Sequence, residues 1–494
     1  MFPFVKKKDK QQSNYKPINK KLATNDKYIG QLFSAKINSD FAVREIVARY
    51  SEEKVAIYYY ATIVNGDKLY KGIIRPLLEN VGKDLKEVVT LESINEVNTF
   101  EDVVEHINSG KAIIFENGND TAYSVDIAQF QERGIEKSEN ESIIKGPKEA
   151  FTESLNTNIS LIRKRFHDKQ LINETHKIGE RSKMEVNMLY VGDLVNGEIL
   201  KNVKDRIKNI TADNVRNIEI LEQHIEERPY SIVPSILYTE RPDNAASYIE
   251  EGYIVLLMDN SPACLVVPIT FWAFFHSPED RYLRFLFGNF TRIIRFIAFF
   301  ITVFVSSIYV GISTFHSQMI PPDLLLAITS ARERVPFPLI LEVLLMEVAF
   351  ELIREAGIRI PNPLGPTIGI VGALILGQAA VEANVISPII VLVVALSGLT
   401  SFAVVDVSMN YSIRISRFIF IFAAGWFGMF SLTGAFLLWM MYLASLKSFG
   451  VPFFSPLSPG YKSPGNNLFR KIVKKEIWRS GNVQPKDIKK KQTN

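Results

Sequence analysis

The sequence has little cysteine, little net charge and, through its first part, no long apolar run. One cysteine in 494 residues, Cys264, excludes a disulfide framework within the chain and fits a reducing compartment. A net charge of +4, from 57 basic and 53 acidic side chains, is small for this length and gives no electrostatic footprint for nucleic acid. The first 30 residues hold no apolar core of signal-peptide length, so the N-terminal part is expected to stay unexported. The histidines show no metal-ligand spacing, no serine sits in a nucleophile elbow, and no Walker-type glycine loop precedes a Lys-Ser/Thr pair. An enzyme, a metal site and a bound cofactor are therefore not expected.

What is present is uneven. By length alone the chain suggests about three domains, yet nearly all long apolar runs follow Arg292. Residues 1–26 are a Lys/Asn/Gln-rich tail, expected to be disordered. Residues 27–140 read as a small α/β subdomain: a strand in Val55–Ile63, helical spacing over Leu69–Val81, and a hairpin formed by KAIIFEN, Gly118 and TAYSVDI. A charged linker, Gln131–Ser142, follows.

Residues 146–290 read as a second α/β subdomain. Gly146-Pro147 marks the start of a helix with an apolar stripe of Phe151, Leu155, Ile159 and Ile162. MEVNMLYVGDLV predicts a strand entering a turn, followed by amphipathic helices over Gly197–Ile210 and Ala212–Glu227. Tyr253–Phe275 is apolar enough to resemble a membrane span, but Asp259-Asn260-Ser261-Pro262 interrupts it, so Tyr253–Met258 and Ala263–Val267 are assigned to a hairpin.

Residues 291–450 are assigned to a membrane domain. Ile294–Ser313 is the first candidate span, and Arg292 and Arg295 at its start place the N-terminal region in the cytoplasm. A short interfacial helix starts at Pro321-Pro322, and Leu339–Ala356, Ile368–Val385, Ile389–Val405 and Phe418–Leu446 follow as further candidates. Residues 451–494 are a basic C-terminal tail, expected on the cytoplasmic side, which demands an even number of crossings, four or six; five candidates give an odd one. Either Leu339–Ala356 stops short, or Phe418–Leu446, with Gly425, Gly428 and Gly434, breaks in two.

Carboxylates inside apolar sequence draw attention, because ionisable groups at bilayer depth are costly and usually face a bundle interior or an aqueous path. Glu342, Glu347, Glu351 and Glu382 are four such groups. On a helical wheel Val371, Leu374, Ile375 and Glu382 lie within about 60° of Gln378. Gly365, Gly369, Ala373, Gly377 and Ala380 form the opposite, small-residue face, suited to close helix packing. The first face suits a narrow path with an aliphatic constriction at Val371 and a polar end at Gln378 and Glu382. The other reading of Glu382, a side chain marking a helix end in the headgroup region, stays open. Glu347, Glu351 and Arg354 cluster on one side of their helix, with Arg354 spaced to pair with Glu351. A structural ion-pair cluster and an ion-coordinating ring are both open there.

Seven blocks carry a family resemblance: GPKEAFTESLNTNISLIRKR, TERPDNAASYIEEGYIVLLMDNSP, HSPEDRYLRF, TFHSQMIPPDLLLAITSARERVPFP, MEVAFELIREAGIRIPNPLG, IVGALILGQAAVEANVISP and SLKSFGVPFFSP. Together they resemble the A subunits of spore germinant receptors, the GerA family, from about Gly146 to Pro456. The resemblance implies a multi-pass protein of the inner spore membrane with a two-part cytoplasmic domain. It further implies a transporter-like B subunit and a lipoprotein C subunit as partners, and assembly, as in a pentamer, into a cation channel opened when nutrient is sensed. A related branch of the family acts as an accessory ion channel linked to dipicolinate release, and shared blocks do not separate the branches, although SARERVPFP leans toward the receptor subunit. On the residues alone, a ligand-gated channel, a secondary transporter and a non-conducting scaffold are distinct alternatives; no inverted repeat supports the second.

Overall fold

The computed structural model describes residues 16–81, 84–91, 93–130, 141, 143–359, 375–461 and 469–490. The first unit begins with helix α1 (Leu22–Leu32), whose first five residues fall in the stretch 1–26 expected to be disordered. Ile18, Leu22 and Asn25 are buried there, which explains why residues 16–26 are ordered despite their polar composition. Strands β1 (Phe41–Val47) and β2 (Lys54–Tyr60) form a hairpin, residues 66–79 are helical, and β3 (Ile94–Val97), α2 (Phe100–Asn108), β4 (Lys111–Glu116) and β5 (Ala122–Asp126) complete the unit. The sheet order is β1-β2-β4-β5-β3, antiparallel throughout.

Both faces of this sheet are covered. Ala56, Tyr58, Tyr60, Ile113 and Phe115 join one core with α1 and α2, while Val55, Ile57, Ala112 and Ile114 join another with Leu69, Ile73 and Leu77. Successive strand residues point to opposite faces, so a strand buried on both reads as the continuous apolar run VAIYYY.

The second unit repeats this plan. Helix α3 (Leu155–Arg165) precedes β6 (Leu171–Ile178) and β7 (Met184–Val191); α4 (Gly197–Lys208), α5 (Ile218–Ile225), β8 (Leu237–Thr239), α6 (Pro242–Glu251), β9 (Ile254–Met258) and β10 (Cys264–Val267) follow. The order β6-β7-β9-β10-β8 matches the first sheet strand for strand. Even the registers agree: Ala112 opposite Val125 and Phe115 opposite Ala122 in one unit correspond to Ile254 opposite Val267 and Leu257 opposite Cys264 in the other. The hairpin turns share a left-handed residue at the same place, Gly118 (φ +88) and Asn260 (φ +59). The α/β region is a tandem structural duplication.

Two helix boundaries differ from expectation. Helix α3 starts at Leu155 rather than near Gly146, because Ser154 accepts a hydrogen bond from Thr157 N while Phe151 stays extended and donates its N–H to Glu240 O. Asn217 caps α5, so that helix begins later than Ala212.

A helical region follows: α7 (Phe285–Phe315), α8 (Pro322–Arg332), α9 (Leu339–Arg359), α10 (residues 375–382), α11 (Pro388–Ser401), α12 (Val407–Phe427) and α13 (Met429–Ser445). Among the described residues one helix, α7, is long and apolar enough to cross a membrane by length and composition; α11 and α13 are shorter apolar helices. The run Phe418–Leu446 breaks at Gly428, whose φ of +63 no ordinary side chain favours and whose Cα abuts Phe315 and His316 at the far end of α7.

Contacts set the direction of each helix. The start of α7 and the end of α13 lie at the α/β region, where Arg228 donates to Ser445 Oγ (3.0 Å) and Tyr442 OH to Ser231 Oγ (2.8 Å). Glu342 of α9 meets Arg332 and the N–H of Ser387 at the opposite end, whereas Arg354 meets Gly398 and Ser401 nearer the α/β region. Thus α7 runs outward, α9 and α11 both run back, α12 runs outward and α13 returns.

The C-terminal segment is built into the fold rather than trailing from it. Ser480 N donates to the buried Glu251 Oε2 (2.7 Å), Lys486 N to Leu194 O (2.9 Å), and Arg470 N to Asn289 Oδ1 (2.8 Å).

Candidate functional site

The polar groups of the helical region fall into three places. The first is the two-faced helix α10. Its Gly377 is buried, and a methyl group there would lie 3.5 Å from Val391 Cγ1 and 3.8 Å from Met346 Cε, so this face packs on α9 and α11. On the other face Gln378 and Glu382 are exposed and bonded to each other, Nε2 to Oε1 at 2.9 Å, and Ile375 is 60% exposed. Val371, Leu374, Gly365, Gly369 and Ala373 lie outside the described residues.

The second place is a charged network inside the bundle. Glu347 is fully buried on α9 and accepts from Ser306 Oγ of α7 at 2.6 Å; Arg417 NH2 of α12 lies 3.1 Å from its other oxygen. Arg417 also donates to Glu351 Oε1 (2.7 Å) and Ser397 Oγ (2.8 Å), and Arg414 Nε donates to Glu351 Oε1 (3.1 Å). Arg354 is placed differently from the expected i,i+3 pair: its guanidinium donates to Gly398 O (3.0 Å) and Ser401 Oγ (2.8 Å) of α11. The reason is reach. Two arginines of the facing helix already hold Glu351, and the last turn of α11 offers Arg354 acceptors. The wheel of α9 alone could not show Arg414 and Arg417; the available signal was two arginines three apart in the apolar run SIRISRFIFIF.

Glu342 is a third carboxylate with its own role. It is fully buried, accepts from Arg332 NH2 (2.9 Å) and Nε (3.1 Å), and takes the N–H of Ser387 (3.1 Å), so it ties α8, α9 and the start of α11 together. Its separation from Glu347 and Glu351 agrees with its different helix face.

The third place is the junction with the α/β region. A cavity of about 310 Å³ is lined by Glu141, Glu219, Glu222, Tyr238, Asp406 and Tyr411, and Asp406 caps α12 by accepting from Met409 N at 2.7 Å. Burial first, then the neighbouring Glu226, Asp406 and Glu219, pushes the Glu222 carboxyl up to about 8. No group of His, Cys, Asp or Glu able to hold a metal is found among the described residues.

A duplicated α/β region coupled to a helical bundle that buries paired charges and turns one polar helix face outward defines a two-part protein, α/β first and all-helical second. The family described as Bacillus/Clostridium GerA spore germination protein matches residues 27–483, and the chain belongs to it. Spore germination protein KA of Bacillus subtilis (strain 168) is 34% identical over 484 residues, covering 96% of this chain and 87% of that one. Spore germination protein A1 of the same organism is 38% identical over 81% of this chain and 84% of its own length, and its uncharacterized membrane protein YfkQ 36% over 84% and 82%. Among solved structures, the N-terminal domain of the A subunit of the Bacillus megaterium spore germinant receptor GerK3 aligns with a TM-score of 0.40 at 24% identity, over 52% of this chain and 99% of that one. The protein is thus a member of the germinant-receptor A-subunit family of spore germination.

Proposed function

We propose that this chain is a pore-forming subunit of a nutrient-gated cation channel in the inner spore membrane, with α10 and the residues before it facing the ion path. The observation that carries this reading is the two-faced α10: Gly377 packs inward while Ile375, Gln378 and Glu382 face outward, uncovered by the chain's own helices. A ring of copies would gather these faces around one axis, repeat Glu382 as a circle of carboxylates that concentrates cations, and place Val371 and Leu374 at an apolar constriction. The Glu347, Glu351, Arg414 and Arg417 network is charge-compensated within one chain, which supports helix-packing duty for it rather than ion coordination.

The topology fits the same reading. Because α9 ends nearer the α/β region and Ser387 starts α11 at the opposite end, the chain changes sides between these two helices, where α10 lies. With α7, α9, α11, α12 and α13 this gives six crossings, an even number that keeps both the α/β region and the tail cytoplasmic. Transporter-like and lipoprotein subunits are the expected partners, and the nutrient signal enters through them or the α/β region.

The test is the reversal potential under a salt gradient in reconstituted membranes. Glu382→Lys is expected to reduce or reverse cation preference, and Glu382→Gln to lower cation conductance with assembly intact. An unchanged reversal potential in correctly assembled Glu382→Lys would remove α10 from the ion path.

A further inference from the structure

The start of α7 and the C-terminal segment meet on one face whose composition is unlike the rest of the α/β region. Helix α7 has 31 residues, about 46 Å of helix, longer than the roughly 30 Å bilayer core and close to the about 40–45 Å of a bilayer with its headgroups, so its first turns lie at headgroup level. At the α/β end of the helix Asp280, itself fully buried, accepts from Arg292 Nε (2.9 Å) and Arg295 NH1 (2.8 Å) and so fixes the position of these turns. Its first turns leave Leu286 79% and Phe287 55% exposed.

The C-terminal segment is pinned to those same turns. Arg470 is buried, exchanges backbone and side-chain bonds with Asn289, and donates its guanidinium to Arg281 O (3.2 Å) and Leu283 O (2.8 Å). Gly288 in these turns allows the close approach of Asp280, since a methyl group there would lie 2.6 Å from Asp280 O. Among the described residues nothing apolar covers the flanks of Arg470: Phe469, Ile472 and Val473 are exposed, interspersed with exposed Lys471, Lys474 and Lys475. Residues 469–475 contain no acidic side chain.

Exposed aromatic and aliphatic side chains interleaved with lysines, held beside the entry of a membrane-crossing helix, match the chemistry of an anionic bilayer surface. Lipid phosphates take the ammonium groups, and the apolar side chains enter the acyl boundary. We propose that this face docks on anionic lipid: Arg284, Lys474 and Lys475 engage headgroup phosphates while Leu286, Phe287 and Val473 insert beside them. The proposal rests on α7 crossing the membrane as read above, and it does not need the channel. Its consequence is that the C-terminal segment senses the charge of the inner leaflet and transmits it, through Ser480 and Arg470, to α6 and the first turn of α7.

The test is amide hydrogen exchange of the full chain in nanodiscs of phosphatidylcholine alone and of phosphatidylcholine mixed with phosphatidylglycerol. Residues 470–478 are expected to exchange about tenfold more slowly in the anionic nanodisc. High salt and the K474E/K475E double variant should both remove the difference, while K474R/K475R keeps it. Equal exchange in the two lipids, with residues 294–313 protected, would overturn this proposal alone. Unprotected residues 294–313 would overturn it together with the crossing of α7. Protection of the segment that appears only with another protein, whatever the lipid, would also overturn it and assign the face to that protein.

Discussion

In the α/β region Arg163 reaches from α3 of the second unit to Asp40 of the first, and in the bundle Arg417 reaches from α12 to Glu347 of α9. Both pairs are almost completely buried, with side-chain exposures of 3% and 3% for one and 1% and 0% for the other. Their surroundings differ. Arg163 donates twice to Asp40 (2.6 and 2.8 Å) and also to Asn38 Oδ1 and Leu171 O, and its guanidinium stacks 3.8 Å above Tyr60. Arg417 is shared between two carboxylates, its Nε has no hydrogen-bond partner among the described residues, and Glu347 Oε2 has only the 3.1 Å ion pair with Arg417 NH2. A satisfied buried pair is a clamp; an under-satisfied, shared one retains alternative arrangements of similar energy, because breaking one contact leaves another to take its place. The comparison teaches that the two subdomains are locked to each other more firmly than α9 is locked to α12.

The sharpest way to break the comparison is Asp40→Ala. It strands a buried guanidinium, so we expect a loss of about 3–5 kcal/mol, read as faster hydrogen exchange of β6 amides in the full chain. Next in size is Gly377→Leu, which overfills the contact of α10 with Met346 and Val391; a cost of about 1–3 kcal/mol should appear as a lower yield of folded protein in detergent. Glu347→Gln should cost only about 1–2 kcal/mol, since Ser306 still finds an acceptor and Arg417 still holds Glu351. A thermal-stability loss for Glu347→Gln as large as that for Asp40→Ala would show both pairs to be clamps of one kind.

The smallest expected effect is on pH dependence. The folded protein holds the Glu222 carboxyl near 8, above the ordinary carboxylate range, so it favours the protonated form. That contribution to stability is complete below about pH 4.5 and is lost as pH rises through 8. Glu222→Gln should flatten the decline in melting temperature over this window, modestly, because Glu222 is partly exposed and water screens it.

Local features were legible in the sequence where one residue type dictates one geometry. Asp259-Asn260-Ser261-Pro262 marked a turn that a hydropathy average would have erased, and Asn260 does sit in the left-handed conformation there. Gly428 was one of three glycines offered as the break in Phe418–Leu446, and φ at that position explains the choice. The duplication was not legible, because register and strand order carry it while the matched residues share only apolar character: Ala112 with Ile254, Phe115 with Leu257. The bundle network was half legible. Glu347 and Glu351 stood out as carboxylates in apolar sequence, but their partners Arg414 and Arg417 lie on another helix, and only packing joins them. The C-terminal segment was read as a tail because its composition is that of solvated chain; its hydrogen bonds run to residues some 200 positions earlier, Ser480 to Glu251 and Arg470 to Asn289 among them.

That return of the chain end gives the protein an order of completion. Glu251 is buried, and Ser480 N and Lys490 reach it from beyond the whole helical region. Until the helical region has been made, those partners are absent, and Glu251 has Arg281 beside it but not Ser480 or Lys490. A copy whose helical region is misassembled therefore carries its error back into the α/β region, as a buried carboxylate short of its donors. Residues 470–490 act as a seal that closes only over an assembled helical region.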